Sequence, residues 1–173
     1  MSKKSDKVAI FDLDKTITKY DTYKLFIVYC LLKKPIRLIY IYKIIIPLIK
    51  FIIFKKDISS LKEPFLEIIL SKVHKTYVKK LCKEFSHFTL KHNIMNDALI
   101  VINNHIKKKH VVVIATASFE FYVSNIAMDL NINHIISTKT RDSKNFIFQS
   151  KIEGNILKGK NKLQKIKAFI KKY

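Results

Sequence analysis

The first strand-like stretch of the chain runs directly into two aspartates. The apolar residues Val8–Phe11 precede Asp12 and Asp14, which stand one residue apart. A carboxylate at the end of a buried strand costs free energy unless it has a partner. Because residues i and i+2 of a strand point to the same face, we expect both carboxylates to enter one site at the carboxyl end of the strand, where open α/β sheets bind ligands. Paired carboxylates suit Mg2+ with a phosphate beside it.

The composition is that of a folded protein with one domain, or one domain with an inserted subdomain. The chain has 173 residues, of which 49% are hydrophobic, and only 2 Gly and 3 Pro, which favours helices and strands over loops. Cys30 and Cys82 show no CxxC spacing and no secretory signal opens the chain. These features predict reduced thiols and a cytoplasmic location.

The charge is strongly positive. A formal net charge of +21 attracts polyanions, either a membrane surface or phosphorylated ligands, although a general richness in lysine is the plainer explanation. No zinc-finger spacing or aromatic RNA-binding signature accompanies the charge, so nucleic acid is not expected as a partner.

A second apolar feature occupies residues 22–54. Its longest uncharged run is about eight residues, well short of the roughly 20 that a membrane-spanning helix needs. Two interpretations stay open. The region can lie in a membrane interface with Lys43 and Lys50 reaching the headgroups, on the inner face of the membrane, or it can pack as a helical subdomain.

The remaining pattern predicts an α/β protein. Helical spacing continues from residue 57 to 104, with a helix start at Asp57, and a buried strand follows at 111–114. A helix at 119–130, a short strand at 135–136, a hairpin-like region at 146–148 and a basic helix at 158–173 complete the chain. This order predicts a parallel sheet with a helical insertion after the first strand.

Three short motifs resemble those of a known family. They are Asp12-x-Asp14-x-Thr16, then Thr116 at the tip of a later strand, then the Gly-Asn…Gly…Lys run that selects Lys162. In this order they resemble the haloacid dehalogenase (HAD) superfamily, and within it the phosphoserine-phosphatase-like branch, subfamily IB. The resemblance implies a HAD-like (Rossmann-like) parallel sheet with a helical C1-type cap. The expected divisions are 1–20 for the first part of the core, 21–95 for the cap and 96–173 for the rest of the core.

The resemblance also assigns roles to the motif residues. Asp12 is implied as the nucleophile that forms an aspartyl phosphate, and Asp14 as the general acid and base. The Asp12 carboxylate and the Asp14 backbone carbonyl are implied as Mg2+ ligands. Thr16 is expected to fix the turn of its motif, and Thr16, Thr116 and Lys162 form the implied phosphate-binding set.

One part of the family pattern is missing. The fourth motif, which supplies further aspartates for Mg2+, should follow Lys162, yet the sequence has no Asp or Glu after Glu153. Asp142 precedes the lysine motif and is expected to be a hairpin-turn residue. The C-terminal strands of the family fold are therefore expected to be missing. The first strand then becomes a sheet edge open to association, and the chain is either a truncated form or one that relies on a partner.

Three functions are compatible with these features. Residues 25–54 resemble the start of the cap in membrane-associated phosphatidylglycerophosphate phosphatases, which implies a Mg2+-dependent phosphatase for a lipid phosphate. A phosphatase for a small phosphomonoester such as phosphoserine is the second possibility. The third is a catalytically weak phosphate- or polyanion-binding remnant, because the fourth motif is missing.

Overall fold

The computed structural model describes residues 7–55, 57–142 and 145–172. Within them the strands form one four-stranded sheet in the order β1-β2-β3-β4. The strands are β1 (Val8–Phe11), β2 (Val111–Phe119), β3 (His134–Thr140) and β4 (Ile152–Glu153). β1 pairs in parallel with β2 and β2 with β3, whereas β4 runs antiparallel to β3. The predicted α/β fold with a parallel sheet is confirmed.

Helices occupy most of the rest of the described chain. They are α1 (Thr22–Lys33), α2 (Ile45–Ile53), α3 (Lys62–Leu70), α4 (Lys75–His92), α5 (Asn96–Lys107), α6 (Glu120–Asp129) and α7 (Lys160–Ile170). Two 3₁₀ helices, Pro35–Ile44 and Ile58–Leu61, precede α2 and α3. Five of the α-helices lie between β1 and β2 in the described chain, as the helical insertion requires. The domain boundaries at residues 20 and 95 stay predictions.

Two strands differ in length from the sequence expectation. β1 ends at Phe11, before the aspartates, because the chain turns there and Lys15 adopts a φ of 60°. β2 continues to Phe119, with a register irregularity between Ala115 and Phe119 against β3. Such bulges re-aim side chains at strand ends and are common next to functional sites. Residues 146–148 lie in the connection between antiparallel β3 and β4.

An aromatic cluster joins the first helix of the insertion to the sheet layer. Phe26 of α1 is fully buried and stacks on Tyr122 of α6, with ring centroids 4.8 Å apart. It also meets Phe85 of α4 edge-on at 5.1 Å. Because buried aromatic rings contribute large apolar areas, this cluster fixes α1 against α4 and α6. It therefore holds the start of the insertion beside the carboxyl ends of β1 and β2.

Residues 36–54, which we call the apolar segment, contribute no buried residue to the core. None of them is buried, although they are mostly Ile, Leu, Tyr and Phe. The segment is attached to α3 through Arg37, whose guanidinium donates a hydrogen bond of 2.9 Å to the Ser71 carbonyl. Among the described residues, no helix combines the length and hydropathy needed to cross a membrane.

Candidate active site

The turn that follows β1 is built on one carbonyl oxygen. The Leu13 oxygen accepts hydrogen bonds from the backbone N–H groups of Ile17 at 3.0 Å and Thr18 at 2.9 Å. The buried Thr18 hydroxyl lies 3.0 Å from the same oxygen and 2.9 Å from the Tyr20 carbonyl. Thr16 was expected to fix this turn, yet its side chain is exposed. The threonine that secures the motif is therefore Thr18, two residues further along.

Asp12 meets a lysine from the far end of the chain. Its Oδ2 atom lies 2.9 Å from Nζ of Lys162, and its Oδ1 accepts a hydrogen bond of 2.8 Å from the Leu13 N–H. Lys162 lies in the first turn of α7. The residue before this helix is Gly159, which has a φ of 54°, and a positive φ costs glycine less than it costs residues with a side chain. The neighbouring Lys158 instead pairs with Asp57 at 2.9 Å. The structure thus separates the lysines of this run by their partners.

Asp14 is held on both of its carboxylate oxygens. Thr22, the first residue of α1, donates to Oδ1 from its backbone N–H at 2.7 Å and from its hydroxyl at 2.6 Å. The Ser118 hydroxyl of β2 donates to Oδ2 at 2.7 Å. Sequence reasoning assigned neither residue a role. The available signal was that Ser118 is a second hydroxyl, after Thr116, at the tip of a strand.

Thr116 lies behind the wall of the site. It is fully buried, and its Oγ1 accepts a hydrogen bond of 3.0 Å from the Ser118 N–H. The residue that β2 contributes to the cavity wall is Ala117. In this arrangement Thr116 shapes the irregular end of β2 and so determines where Ser118 points.

These elements enclose a cavity of about 670 Å³. Its walls combine acidic, lysine and apolar side chains, which come from the helical insertion and from the parts of the chain before and after it. The lining residues are Asp12, Asp14, Asp21, Tyr23, Lys24, Ile27, Val28, Ser59, Leu61, Lys62, Phe65, Ala117, Ile156, Lys158, Gly159 and Lys162. Of the five residues expected from the sequence, Asp12, Asp14 and Lys162 come together here.

Lys62 of α3 is a cation of this cavity that sequence reasoning missed. Its ammonium donates a hydrogen bond of 3.1 Å to the Ala117 carbonyl and lies 5.2 Å from the centre of the Tyr23 ring. Burial lowers the pKa of Lys62, while the charges of Asp21 and Asp14 act in the opposite direction. A desolvated ammonium attracts anions more strongly than an exposed one, because water no longer screens it. The cavity is therefore suited to an anionic ligand.

The donor atoms of the cavity fit Mg2+. The ion prefers oxygen ligands and is commonly held by one or two carboxylates together with substrate phosphates and water. Asp12 supplies carboxylate oxygens at the cavity wall, and Asp14 follows it in the same turn. Within the described part of the chain, no cluster of three or more His, Cys, Asp or Glu residues could hold a metal.

The sequence of the chain matches the model of a known family. The sequence model of the haloacid dehalogenase-like hydrolases matches residues 9–173, which is nearly the entire chain. The chain belongs to this family. Comparison with curated proteins finds no match.

Solved structures share the fold at low sequence identity. A protein of unknown function from Bordetella pertussis Tohama I is 17% identical, with a TM-score of 0.77, over 97% of this chain and 75% of that one. A HAD family hydrolase from Salmonella enterica serovar Typhi is 14% identical, with a TM-score of 0.64, over 97% of this chain and 52% of that one. A phosphoserine phosphatase, solved as an analogue of its phospho-aspartyl intermediate, is 16% identical, with a TM-score of 0.59, over 98% of this chain and 72% of that one. At these identities the similarity establishes the fold.

Proposed function

We propose that the protein is a Mg2+-dependent phosphomonoester hydrolase that works through an aspartyl phosphate on Asp12. The observation that carries the proposal is the 2.9 Å contact between Asp12 and Lys162 in a cavity that Asp14 also lines. A carboxylate, a second carboxylate and a cation at one cavity wall are the groups that phosphoryl transfer through a covalent intermediate requires. The phosphoserine phosphatases among the solved structures support the same chemistry.

The proposal assigns defined roles to Asp12, Asp14 and Lys162 in this reaction. An Asp12 oxygen attacks phosphorus while the bond from phosphorus to the ester oxygen breaks, and Asp14 gives its proton to that leaving oxygen. Water then attacks the phosphorus of the aspartyl phosphate, Asp14 takes the water's proton, and inorganic phosphate leaves. Lys162 offsets the charge that accumulates between Asp12 and the phosphoryl oxygens.

The metal has a defined place in this proposal. The Asp12 carboxylate and the Asp14 backbone carbonyl would hold Mg2+, which draws negative charge away from the phosphoryl group when bound. We therefore expect hydrolysis to require added Mg2+.

As the substrate we propose a lipid phosphate. One wall of the cavity is apolar and includes Ile27, Val28 and Phe65, which suits a leaving group with a hydrocarbon part. None of the residues of the apolar segment (36–54) is fully buried, and the segment carries Arg37, Lys43 and Lys50. No Asp or Glu occurs anywhere from residue 22 to residue 56, so this region is both apolar and uniformly cationic. Such a surface is complementary to an anionic membrane.

A small zwitterionic phosphomonoester of the phosphoserine type is the second candidate. Asp21 and Lys62 line the same cavity with opposite charges, and the field of Asp21 acts on the Lys62 ammonium. An ammonium and a carboxylate on one leaving group would find partners in this pair. If neither type of ester is hydrolysed, the phosphate-binding remnant is the interpretation that is left.

The catalytic proposal is tested by trapping the intermediate. The wild-type chain is incubated with p-nitrophenyl phosphate at increasing Mg2+ concentrations, and acid-quenched protein is assayed for base-labile phosphate. In the wild type we expect Mg2+-dependent turnover and base-labile phosphate on the protein. Both should be absent in Asp12→Asn. The matched control is Asp97→Asn, because Asp97 is an exposed aspartate of α5 outside the cavity. Equal activity of Asp12→Asn and the wild type would remove Asp12 from the mechanism.

The membrane proposal is tested by vesicle flotation. Because salt screens electrostatic adsorption but not apolar insertion, we expect binding to anionic vesicles that persists in part at 1 M salt, roughly a 3 Å screening length. Ile46→Glu, at a side chain that is 65% exposed in the apolar segment, should abolish the salt-resistant part. Ile100→Glu, at a 59% exposed side chain of α5, is the matched control and should bind as the wild type does. Equal binding by both variants would contradict the proposed surface.

A further inference from the structure

The hydroxyl groups of Ser118 and Thr22 enclose the Asp14 carboxylate from two different elements. Thr22 begins α1 in the insertion, and Ser118 ends β2 in the sheet. We propose that Ser118, with Thr22 as its counterpart, is a positioning residue that fixes the orientation of the Asp14 carboxylate toward the leaving group. The role in catalysis rests on the proposed function, whereas the positioning itself does not.

The three hydrogen bonds divide unequally between the two carboxylate oxygens. Oδ1 accepts both of its bonds from Thr22, at 2.7 and 2.6 Å, whereas the side-chain donor to Oδ2 is Ser118, at 2.7 Å. Rotation about the terminal bond of an aspartate side chain is otherwise broad. One held oxygen leaves the carboxylate free to swing, and two held oxygens define its plane. The Ser118 hydroxyl is therefore the contact that completes the orientation.

The hydroxyl groups that donate to Asp14 are themselves closed to solvent. Thr22, Ser118 and the adjacent Tyr122 are all fully buried. The Thr22 and Ser118 hydroxyl oxygens lie 3.2 Å apart, and the Tyr122 hydroxyl lies 3.4 Å from that of Thr22. In a buried network each group depends on the others, because a lost donor is not replaced by solvent. Removing the Ser118 hydroxyl therefore leaves Asp14 Oδ2 short of a protein donor.

The position of Ser118 is itself set by the sheet. Its backbone N–H donates to Thr116 Oγ1 at 3.0 Å, within the irregular end of β2. This bond joins the second family motif to the acid of the first motif through two hydroxyl residues. A structural serine would influence stability alone, whereas a positioning serine also influences how well Asp14 reaches the leaving oxygen.

The kinetic test separates these two roles by the leaving group. Single-turnover phosphorylation of the enzyme is measured with an alkyl phosphate, whose leaving oxygen needs a proton, and with p-nitrophenyl phosphate, whose leaving oxygen does not. General acid catalysis contributes about 10²–10⁴-fold, so partial misalignment in Ser118→Ala should slow the alkyl ester roughly 10–100-fold with little change for the nitrophenyl ester. Ser118→Thr, which keeps the hydroxyl, should recover most of the rate.

A matched control distinguishes misorientation from loss of packing. Ser86 of α4 is also fully buried and donates a 2.6 Å hydrogen bond to a carboxylate, that of Asp129, outside the cavity. Ser86→Ala should lower the free energy of unfolding to a similar extent without making the rate depend more on the leaving group. If both variants slow both esters equally, Ser118 has a structural role only and the proposal is overturned.

The second measurement needs no activity. The Thr22 amide proton, bonded to Asp14 Oδ1, is followed by NMR for its chemical shift and its exchange with solvent. In Ser118→Ala we expect the shift to move upfield and exchange to accelerate, with no change in Ser86→Ala. An unchanged Thr22 amide in Ser118→Ala would refute the positioning. If the wild type hydrolyses no phosphate ester, the proposed function fails, and this measurement still decides whether Ser118 holds Asp14.

Discussion

Replacing Lys162 by methionine tests whether this lysine contributes more to the rate of the proposed reaction than to the free energy of unfolding. The Asp12–Lys162 contact of 2.9 Å corresponds to an attraction of about 1.4 kcal/mol in water and about 6 kcal/mol at an effective dielectric constant of 20. The side chains are 25% and 44% exposed, so solvent screening and the cost of ordering a lysine offset most of it. Partly exposed pairs contribute about 1 kcal/mol or less, and we expect Lys162→Met to destabilise the protein by no more than this.

The effect on the reaction should be much larger. In the proposed reaction a bound phosphoryl group displaces water from the cavity, and Lys162 then offsets the charge that accumulates between Asp12 and the phosphoryl oxygens in the transition state. Removing one such electrostatic contact typically costs about 10²–10³ in kcat, equivalent to about 2.7–4 kcal/mol. Lys162→Met should therefore lose at least about 100-fold in kcat while unfolding at nearly the wild-type urea concentration.

The assay measures both quantities on the same preparations. Urea unfolding gives the change in stability, and Mg2+-dependent hydrolysis of p-nitrophenyl phosphate gives the change in rate. Lys160→Met is the matched control, because Lys160 is an exposed residue at the start of the same helix. The reasoning is refuted if the two variants have the same rate, or if Lys162→Met loses more than about 2 kcal/mol of stability, since the pair would then be structural.

The remaining predictions concern packing, the turn and pH. Phe26→Ala should lower the free energy of unfolding by about 3–5 kcal/mol in urea, because a fully buried ring leaves a cavity among its aromatic neighbours; a loss under 1 kcal/mol would contradict the packing role. Thr18→Val removes the one hydroxyl donor that the Leu13 and Tyr20 carbonyls share and should cost about 1–3 kcal/mol, whereas exposed Thr16→Val should stay within about 0.5 kcal/mol. Burial, and then the charges of His105 and nearby lysines, lower the pKa of His110. The unfolded chain therefore takes up this proton first, and stability should fall as pH drops below about 6.5 toward the lower folded pKa. His110→Asn should flatten that part of a urea-midpoint profile against pH, and an unchanged profile would exclude His110 as its source.

Local patterns predicted the elements well because their causes are short in range. The β-branched run at 111–114 indicated a buried strand, and Asp57 accepts a 2.8 Å hydrogen bond from the Ser59 N–H at the expected helical start. The predicted ends of these elements were less accurate. β1 stops before Asp12, so a turn brings the two carboxylates to one cavity, although a continued strand was the expected reason.

The sequence by itself determined the fold class, the two aspartates after the first strand and the apolar, cationic composition of residues 36–54. Each follows from residue type and near-neighbour spacing, which act whatever the rest of the chain does. Only the tertiary structure decided that residues 36–54 stay unburied and which hydroxyls hold Asp14. The family pattern selected Lys162 from its basic run, and the packing of the chain brings that lysine to Asp12. Those contacts join residues 150 and 104 positions apart, Asp12 with Lys162 and Asp14 with Ser118. Contacts at such separations depend on how the sheet and the helical insertion pack, and no local pattern encodes that packing.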